Sequence, residues 1–314
     1  MPPAIAETHR FKKSMALLQT CLAMAILFLV SYVRAEIIEL PASADTTLFE
    51  PYPTNNLGAV LSTAAGTTAR NKRTRALYRF DVAAHVPSNA IIVAATLRLT
   101  VVRTPSGGGG ISSTFGLYRL LRAWTEGNKS TGGIGAGASS SETTWLARQH
   151  PAGLWSAPGA ASPLDFVEEP TATQFVEGHG TYEFSDVSAD VRHWLAQPAS
   201  NSGWILISSD EETALTARRF GAREDAANAP SLVIEYSRPL PPTPRINLPE
   251  VVTNGFRFRF TAAATFIYTV ERKTSLSTAT WIAVTNIPAS DMPRTISVTD
   301  PRLTAAQFYR IVVR

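Results

Sequence analysis

Two stretches of the chain alternate strictly between apolar and polar side chains. Ala76, Tyr78, Phe80 and Val82 oppose Leu77, Arg79 and Asp81, and Ala95, Leu97, Leu99 and Val101 oppose Thr96, Arg98 and Thr100. Successive side chains on a strand point to opposite faces, so a period of two marks a half-buried strand, whereas a helix would scatter the same residues around its axis. Ile37 to Leu40, Phe115 to Leu121, Thr181 to Phe184, Trp204 to Ser208, Leu215 to Phe220 and Leu232 to Tyr236 are further strand candidates, bounded by Gly, Pro, Asn or Ser. Only "VSADVRHWLAQ" has helical spacing, with Val187, Val191, Trp194 and Leu195 on one stripe. Many short strands, one short helix and no strand–helix–strand rhythm predict an all-β chain built on an antiparallel, jelly-roll-like β-sandwich.

The ends of that sandwich are marked in the sequence. Arg10, Lys12 and Lys13 precede an apolar run from Met15 to Val33, and Val33-Arg34-Ala35 offers a small-residue cleavage site. Residues 1–35 therefore read as a secretory signal peptide. The run is also long enough to serve as an uncleaved anchor, which is the one route to a membrane here. At the other end "RPLPPTPR", residues 238–245, holds four prolines in eight residues, an extended linker between two domains. Residues 36–237 form the first domain. Residues 246–314, with Phe256, Phe258 and Phe260 alternating against Arg257 and Arg259, form a smaller β-sandwich of fibronectin/immunoglobulin type. Two glycine- and serine-rich tracts, Pro105 to Ser113 and Ser130 to Ser141, lack the Lys-Ser/Thr of a phosphate loop and read as loops.

Composition then removes several functions. The single cysteine, Cys21, lies inside the leader, so an exported chain has no disulfide, no thiolate zinc site and no cysteine nucleophile. The leader also carries four bases, Arg10, Lys12, Lys13 and Arg34, and one acid, Glu7; from totals of 29 and 25 this leaves 25 against 24, a net charge of +1. The basic character of the whole chain is largely the leader's, and nucleic acid is not an expected partner.

Eight landmarks run in a recognisable order: "SADTTLFE" (Ser43 to Glu50), "ALYRFDV" (Ala76 to Val82), "ATLRLTVV" (Ala95 to Val102), "LLRAWTEG" (Leu120 to Gly127), "ETTW" (Glu142 to Trp145), "DVSADVRHWLA" (Asp186 to Ala196), "GWILISSDEE" (Gly203 to Glu212) and "FGAREDAANAPSLVIEY" (Phe220 to Tyr236). Over residues 37–237 the chain resembles DNRLRE domains, which are similar to family 96 carbohydrate-binding modules. The resemblance implies an extracellular β-sandwich, some of whose relatives bind anionic polysaccharides such as alginate. One departure stands out: Asn128 to Ser141 are inserted between the "WTEG" and "TTW" landmarks, so the family's glycan preference does not carry over if that region borders the ligand groove. Arg223 and Glu224 match the family's recurrent Arg-Glu, for which an ion pair fixing the last strand is the expected role.

Sugar recognition in water needs an aromatic face and charged or amide groups that bond hydroxyls in pairs. Trp124, Trp145 and Trp155 sit beside polar or glycine-rich loops and are the candidate platforms, the competing role being to plug the end of the core. Trp194 and Trp204 belong in the core by their positions. Arg70, Arg73 and Arg75 lie in the densest basic stretch, and Arg218 and Arg219 adjoin the last strand; their forked guanidiniums suit uronate carboxylates. Solvated charges guarding an edge strand would look the same. Asp45, Asp210 and Glu211 are the candidate ligands for a structural calcium, the one cofactor considered, though no EF-hand spacing accompanies them. Catalysis lacks support: His193, three residues after Asp190, has no second histidine at metal-ligand spacing, and Glu126 and Glu142 are the only carboxylates that even suggest a glycosidase pair. The expectation is a non-catalytic, exported carbohydrate-binding protein, with an acidic polysaccharide as partner. The alternative is a structural or adhesive surface protein without tight sugar binding.

Overall fold

The computed structural model describes residues 35–105, 110–239, 243–277, 279–301 and 307–313. The predicted leader lies outside them apart from Ala35, as do residues 106–109 of the first glycine tract and 240–242 of the proline-rich linker. The described chain is all-β and divides into two compact units, with the boundary between Arg238 and Pro239.

The larger unit opens with β1 (Ala35–Pro41), β2 (Ala44–Phe49), the short β3 (Asn55–Asn56), β4 (Ser62–Thr67), β5 (Arg73–Arg79), helix α1 (Val82–His85), the long β6 (Ile91–Arg103) and β7 (Ser113–Arg119). The pieces β8 (Ala136–Gly137), β9 (Ala147–Gln149) and β10 (Gly153–Leu154) belong to one long connection. Then come β11 (Ala172–Val176), β12 (Gly180–Phe184), helix α2 (Ser188–Ala196), β13 (Trp204–Ser208), β14 (Arg218–Gly221) and β15 (Ser231–Ser237). Pairing is antiparallel throughout. In the first sheet β1 pairs β15, which pairs β6, and β12 takes the opposite edge of β6. In the second the order is β2-β5-β13-β7-β11.

Strand β4 belongs to both sheets. Over Ser62–Ala65 it pairs β14, and at Gly66 and Thr67 it pairs β5 instead. Gly66 makes the switch at φ +105°, and a β-carbon there would come within 2.8 Å of Ala217 Cα and Thr216 O. Only glycine meets both the backbone angle and the close approach. The last two strands of the unit also share an edge: β14 pairs β6 at Val101 and Arg103, and β15 continues along the same edge from Arg98 to Ile91. Residues 222–230, which hold Arg223 and Glu224, are thus an excursion from what is otherwise one line of pairing.

The two alternating stretches meet between the sheets. Ala76, Tyr78, Phe80, Ala95, Leu97, Leu99 and Val101 are all buried in one core, joined by Val187, Val191, Trp194 and Leu195 of the α2 stripe and by Trp204. Leu77 departs from expectation. It alternates away from this core yet is fully buried, in a second apolar cluster on the outer face of the second sheet. There Leu48, Leu77, Leu120 and Ile205 meet Trp124, Trp145, Trp155 and Phe166, which come from the connection between β7 and β11. That connection roofs the sheet, so "WILI" of β13 is apolar at every position because both its faces are covered.

The smaller unit has its own core. β16 (Asn247–Val252), β17 (Gly255–Ala262) and β20 (Arg294–Asp300) form one three-stranded antiparallel sheet, and β18 (Tyr268–Lys273), β19 (Ile282–Ile287) and β21 (Phe308–Val313) form the other. Phe258, Phe260, Tyr268, Val270 and Val298 lie between them, with Arg257 and Arg259 turned outward as alternation requires. A buried ion pair, Arg272 to Asp300 at 3.0 Å, ties β18 to β20, and Tyr309 Oη donates to the same carboxylate at 3.1 Å.

The roof is the feature most exposed to test. Trp124→Ala removes a large buried side chain and orphans Ser202 O, which accepts from Trp124 Nε1 at 2.8 Å. The expected cost is about 3–5 kcal/mol, seen as a shift of the circular-dichroism transition of the full chain to lower denaturant.

Candidate functional site

The structure sorts the expected site residues into those already engaged and those left over. Trp124, Trp145 and Trp155 are 2%, 3% and 5% exposed, so the expectation that they form a sugar platform is corrected: they are the roof's own core. Sequence placed them beside polar loops, and those loops fold over the second sheet instead of opening onto solvent. The Arg73 and Arg75 guanidiniums lie 5.5 and 5.8 Å from the Trp145 ring centroid, while Gly159 backs the same ring so closely that a β-carbon would sit 2.6 Å from it.

Most of the predicted arginines are likewise committed. Arg75 makes a two-pronged bond to Glu211, at 2.7 and 2.5 Å, and donates from Nη1 to the Gly159 and Ala160 carbonyls. It is a latch between second sheet and roof. Arg73 pairs Glu50 at 3.4 Å. Arg218 is 1% exposed and spreads its guanidinium over the backbone carbonyls of Ile111, Glu177, Leu215, Thr216 and Ala217. Its placement at a sugar rim is corrected: its parity on β14 is that of Phe220, which points inward. Arg70 is exposed on the turn between β4 and β5.

The calcium reading is corrected as well, because the three candidate ligands serve three separate partners. Glu211 holds Arg75, Asp210 Oδ2 accepts from Ser113 Oγ at 2.8 Å, and Asp45 Oδ2 accepts the Arg223 backbone N–H at 2.7 Å. Among the described residues no group of three metal-ligating side chains converges. Glu126 and Glu142 are structural too. The first accepts from the Asp45 N–H and from Arg223 Nε, the second from the Asn128 and Ser139 N–H groups. Asp190 faces Arg119, Trp204 and Thr171 rather than His193. Arg223 also pairs Glu224 at 3.0 Å, so both a mutual and a cross-loop ion pair hold the excursion before β15.

Arg219, like the exposed Arg70, is not committed in this way. It lies directly opposite Arg103 where β14 meets β6. Between Phe220↔Val101 and Arg219↔Arg103 the register slips by one residue, so Val102 is bulged and Arg103, which alternation would send into the core, reaches the outer face beside Arg219. Like charges directly opposite on a sheet repel. Elsewhere on that face such charge is neutralised, as where Arg98 pairs Glu183 at 2.9 Å and Glu39 at 3.9 Å. Among the described residues, Arg103 and Arg219 side chains have no hydrogen-bond or ion-pair partner. Burial, with the charge of Arg103 adding to it, lowers the pKa of Arg219.

Both arginines line a cavity of about 370 Å³ at the corner where β4 changes sheets, together with Phe49, Thr68, Thr74 and Thr104. Phe49 is the aromatic of the lining, and Tyr52, 46% exposed and outside the lining itself, packs on it with centroids 5.8 Å apart. Sequence reasoning missed Arg103, Phe49 and Tyr52. The usable signal was Val101-Val102-Arg103, where strict alternation breaks and would otherwise bury an arginine. The described lining holds no carboxylate, imidazole or thiol. It can bind an anion and stack on a ring, but offers no acid–base pair.

No protein-family model and no curated protein sequence matches the chain. Among solved structures it is similar to a GH2 beta-galacturonidase from Eisenbergiella tayi bound to glycerol, at a TM-score of 0.17 and 8% identity over 89% of this chain. The chain spans 41% of that protein's length. Among the described residues no helix is long and apolar enough to cross a membrane.

Two consequences can be measured. Arg218→Ala removes the guanidinium donors from five carbonyls, of which Leu215 O keeps the Ile111 N–H, and is expected to cost about 3 kcal/mol or more in unfolding of the full chain, a loss of stability rather than of ligand affinity alone. The second concerns pH. Burial pushes the Asp45 carboxyl up to about 8, with the charges of Glu224 and Glu126 adding to it and the Arg223 N–H opposing it. Folding therefore favours the protonated acid. That stability is fully present below the ordinary carboxyl value of about 4 and is lost as pH rises through about 8. The thermal midpoint is expected to fall across this window, and Asp45→Asn to remove most of the slope.

Proposed function

We propose that this protein is a non-catalytic carbohydrate-binding protein whose ligand is an acidic polysaccharide, held at the Arg103–Arg219 groove. The observation that carries the reading is the cross-strand pair of arginines without a counter-charge among the described residues. A repulsive pair facing a cavity is a local cost that a bound carboxylate would relieve, since guanidinium forks match carboxylates in two-pronged geometry. The Phe49–Tyr52 surface supports a sugar as the carrier of that carboxylate, because its apolar ring face can lie on an aromatic. In the same reading the first unit is a DNRLRE-type module and the leader exports it, with the smaller sandwich as spacer.

The test is calorimetric titration of the full chain with alginate, polygalacturonate and a neutral glucan of similar length. Binding to a polyuronate and not to the glucan is expected, weakening as salt screens the charges. Arg103→Ala and Arg219→Ala should each lower affinity by roughly tenfold or more without shifting the thermal midpoint downward. Equal binding of the neutral polymer, or no binding of either polyuronate, overturns the reading.

A further inference from the structure

The segment Asn128–Ser141 reaches the groove. Its strand β8 pairs β3, Asn55 Nδ2 donates to Ile134 O at 3.0 Å, and Lys129 Nζ bonds Ser139 Oγ at 2.7 Å and pairs Glu142 at 3.4 Å. The segment is thus tied down on both sides of a tip formed by the single turn Thr131–Gly133. At the tip Gly132 and Gly133 both adopt positive φ, 56° and 71°. They differ in what they face. A β-carbon on Gly133 would lie 3.0 Å from Arg219 Nη1 and 3.6 Å from Nη2, whereas one on Gly132 would meet nothing within 4 Å.

Arg103 repels the Arg219 guanidinium across the strand pair, and the bare backbone of Gly133 stands against that guanidinium. The end of a long side chain gives way easily, so a methyl group at this point would move the cation rather than break the fold. We propose that Gly133 is a positioning residue for Arg219: it sets where the second cation of the groove sits, and through it the segment Asn128–Ser141 determines which uronate the groove accepts. This rests on the acidic-polysaccharide reading of the same groove. The tip carries no charge of its own, so it acts through Arg219 alone.

The decisive experiment is a double-mutant cycle in the full chain, with alginate and polygalacturonate as separate titrants at one ionic strength. Gly133→Ala is expected to lower affinity several-fold, and by less than the roughly tenfold or greater loss for Arg219→Ala. It should also change the ratio of the two affinities. Gly132→Ala carries a comparable backbone penalty in open space, so it should match Gly133→Ala in thermal midpoint yet leave both affinities within about twofold, the usual scatter of independent sites. On the Arg219→Ala background, Gly133→Ala should add nothing. Equal losses for the two glycine variants, or additivity with Arg219→Ala, overturn the proposal while leaving the polysaccharide reading intact. If the unaltered chain binds neither polyuronate, both fall together.

Discussion

Burial of both faces of the second sheet is the constraint on which the rest depends. A sandwich of this size needs only one apolar face per sheet, and β5 and β13 supply two. The second face is stable only under a cover, which the long connection between β7 and β11 provides with Trp124, Trp145, Trp155 and Phe166. Three tryptophans that would otherwise be available to a ligand become the filling of this roof. The arginines beneath it follow. Arg73 and Arg75 lie over Trp145, Arg79 lies 5.1 Å from the Trp124 ring centroid, and Arg75 is locked to Glu211 besides.

The corner at β4 differs from the roofed sheet, because there Arg103 and Arg219 face each other across a strand pair without a partner among the described residues. Three local features make it: Gly66 turns β4 from one sheet into the other, Val102 is bulged out of register, and the backbone at Gly133 stands against Arg219. Each is a departure from regular pairing, and the cavity at this corner is lined by two cations, threonine hydroxyls and the Phe49 ring. Departures of this kind within an otherwise consistent fold are expected at functional or strained positions.

Legibility from sequence varied with how local the cause was. The inward faces of β5 and β6 and the α2 stripe were readable because period and burial coincide over a few residues. The ion-pairing role of Arg223 and Glu224 came instead from the resemblance to a family with a recurrent Arg-Glu at this place, and the pairs Arg223 makes with Glu126 and Glu224 agree with it. Leu77 was not readable, because its outward position is covered by residues dozens of positions away. The tryptophans were misplaced by the same roof. Arg218 and Arg219 differ by one residue in sequence and end as opposites, one sealed among carbonyls and the other facing a cavity, because a strand sends neighbours to opposite faces.

What the amino-acid sequence determined by itself is the all-β class, the strands with regular alternation such as β5 and β6 though not β4 or β11, the apolar side of each alternating strand, and which tryptophans accompany the helix. These follow from side-chain periodicity, a property of the chain alone. Tertiary structure decided which polar side chains remain unpartnered. A guanidinium is the same group at 73, 75, 103, 218 and 219, and whether it meets a carboxylate, a ring, a carbonyl or open space depends on the segments folded against it. A one-residue bulge and a bare glycine, neither of which has a side-chain signature strong enough to read in isolation, set Arg103 and Arg219 apart from the rest.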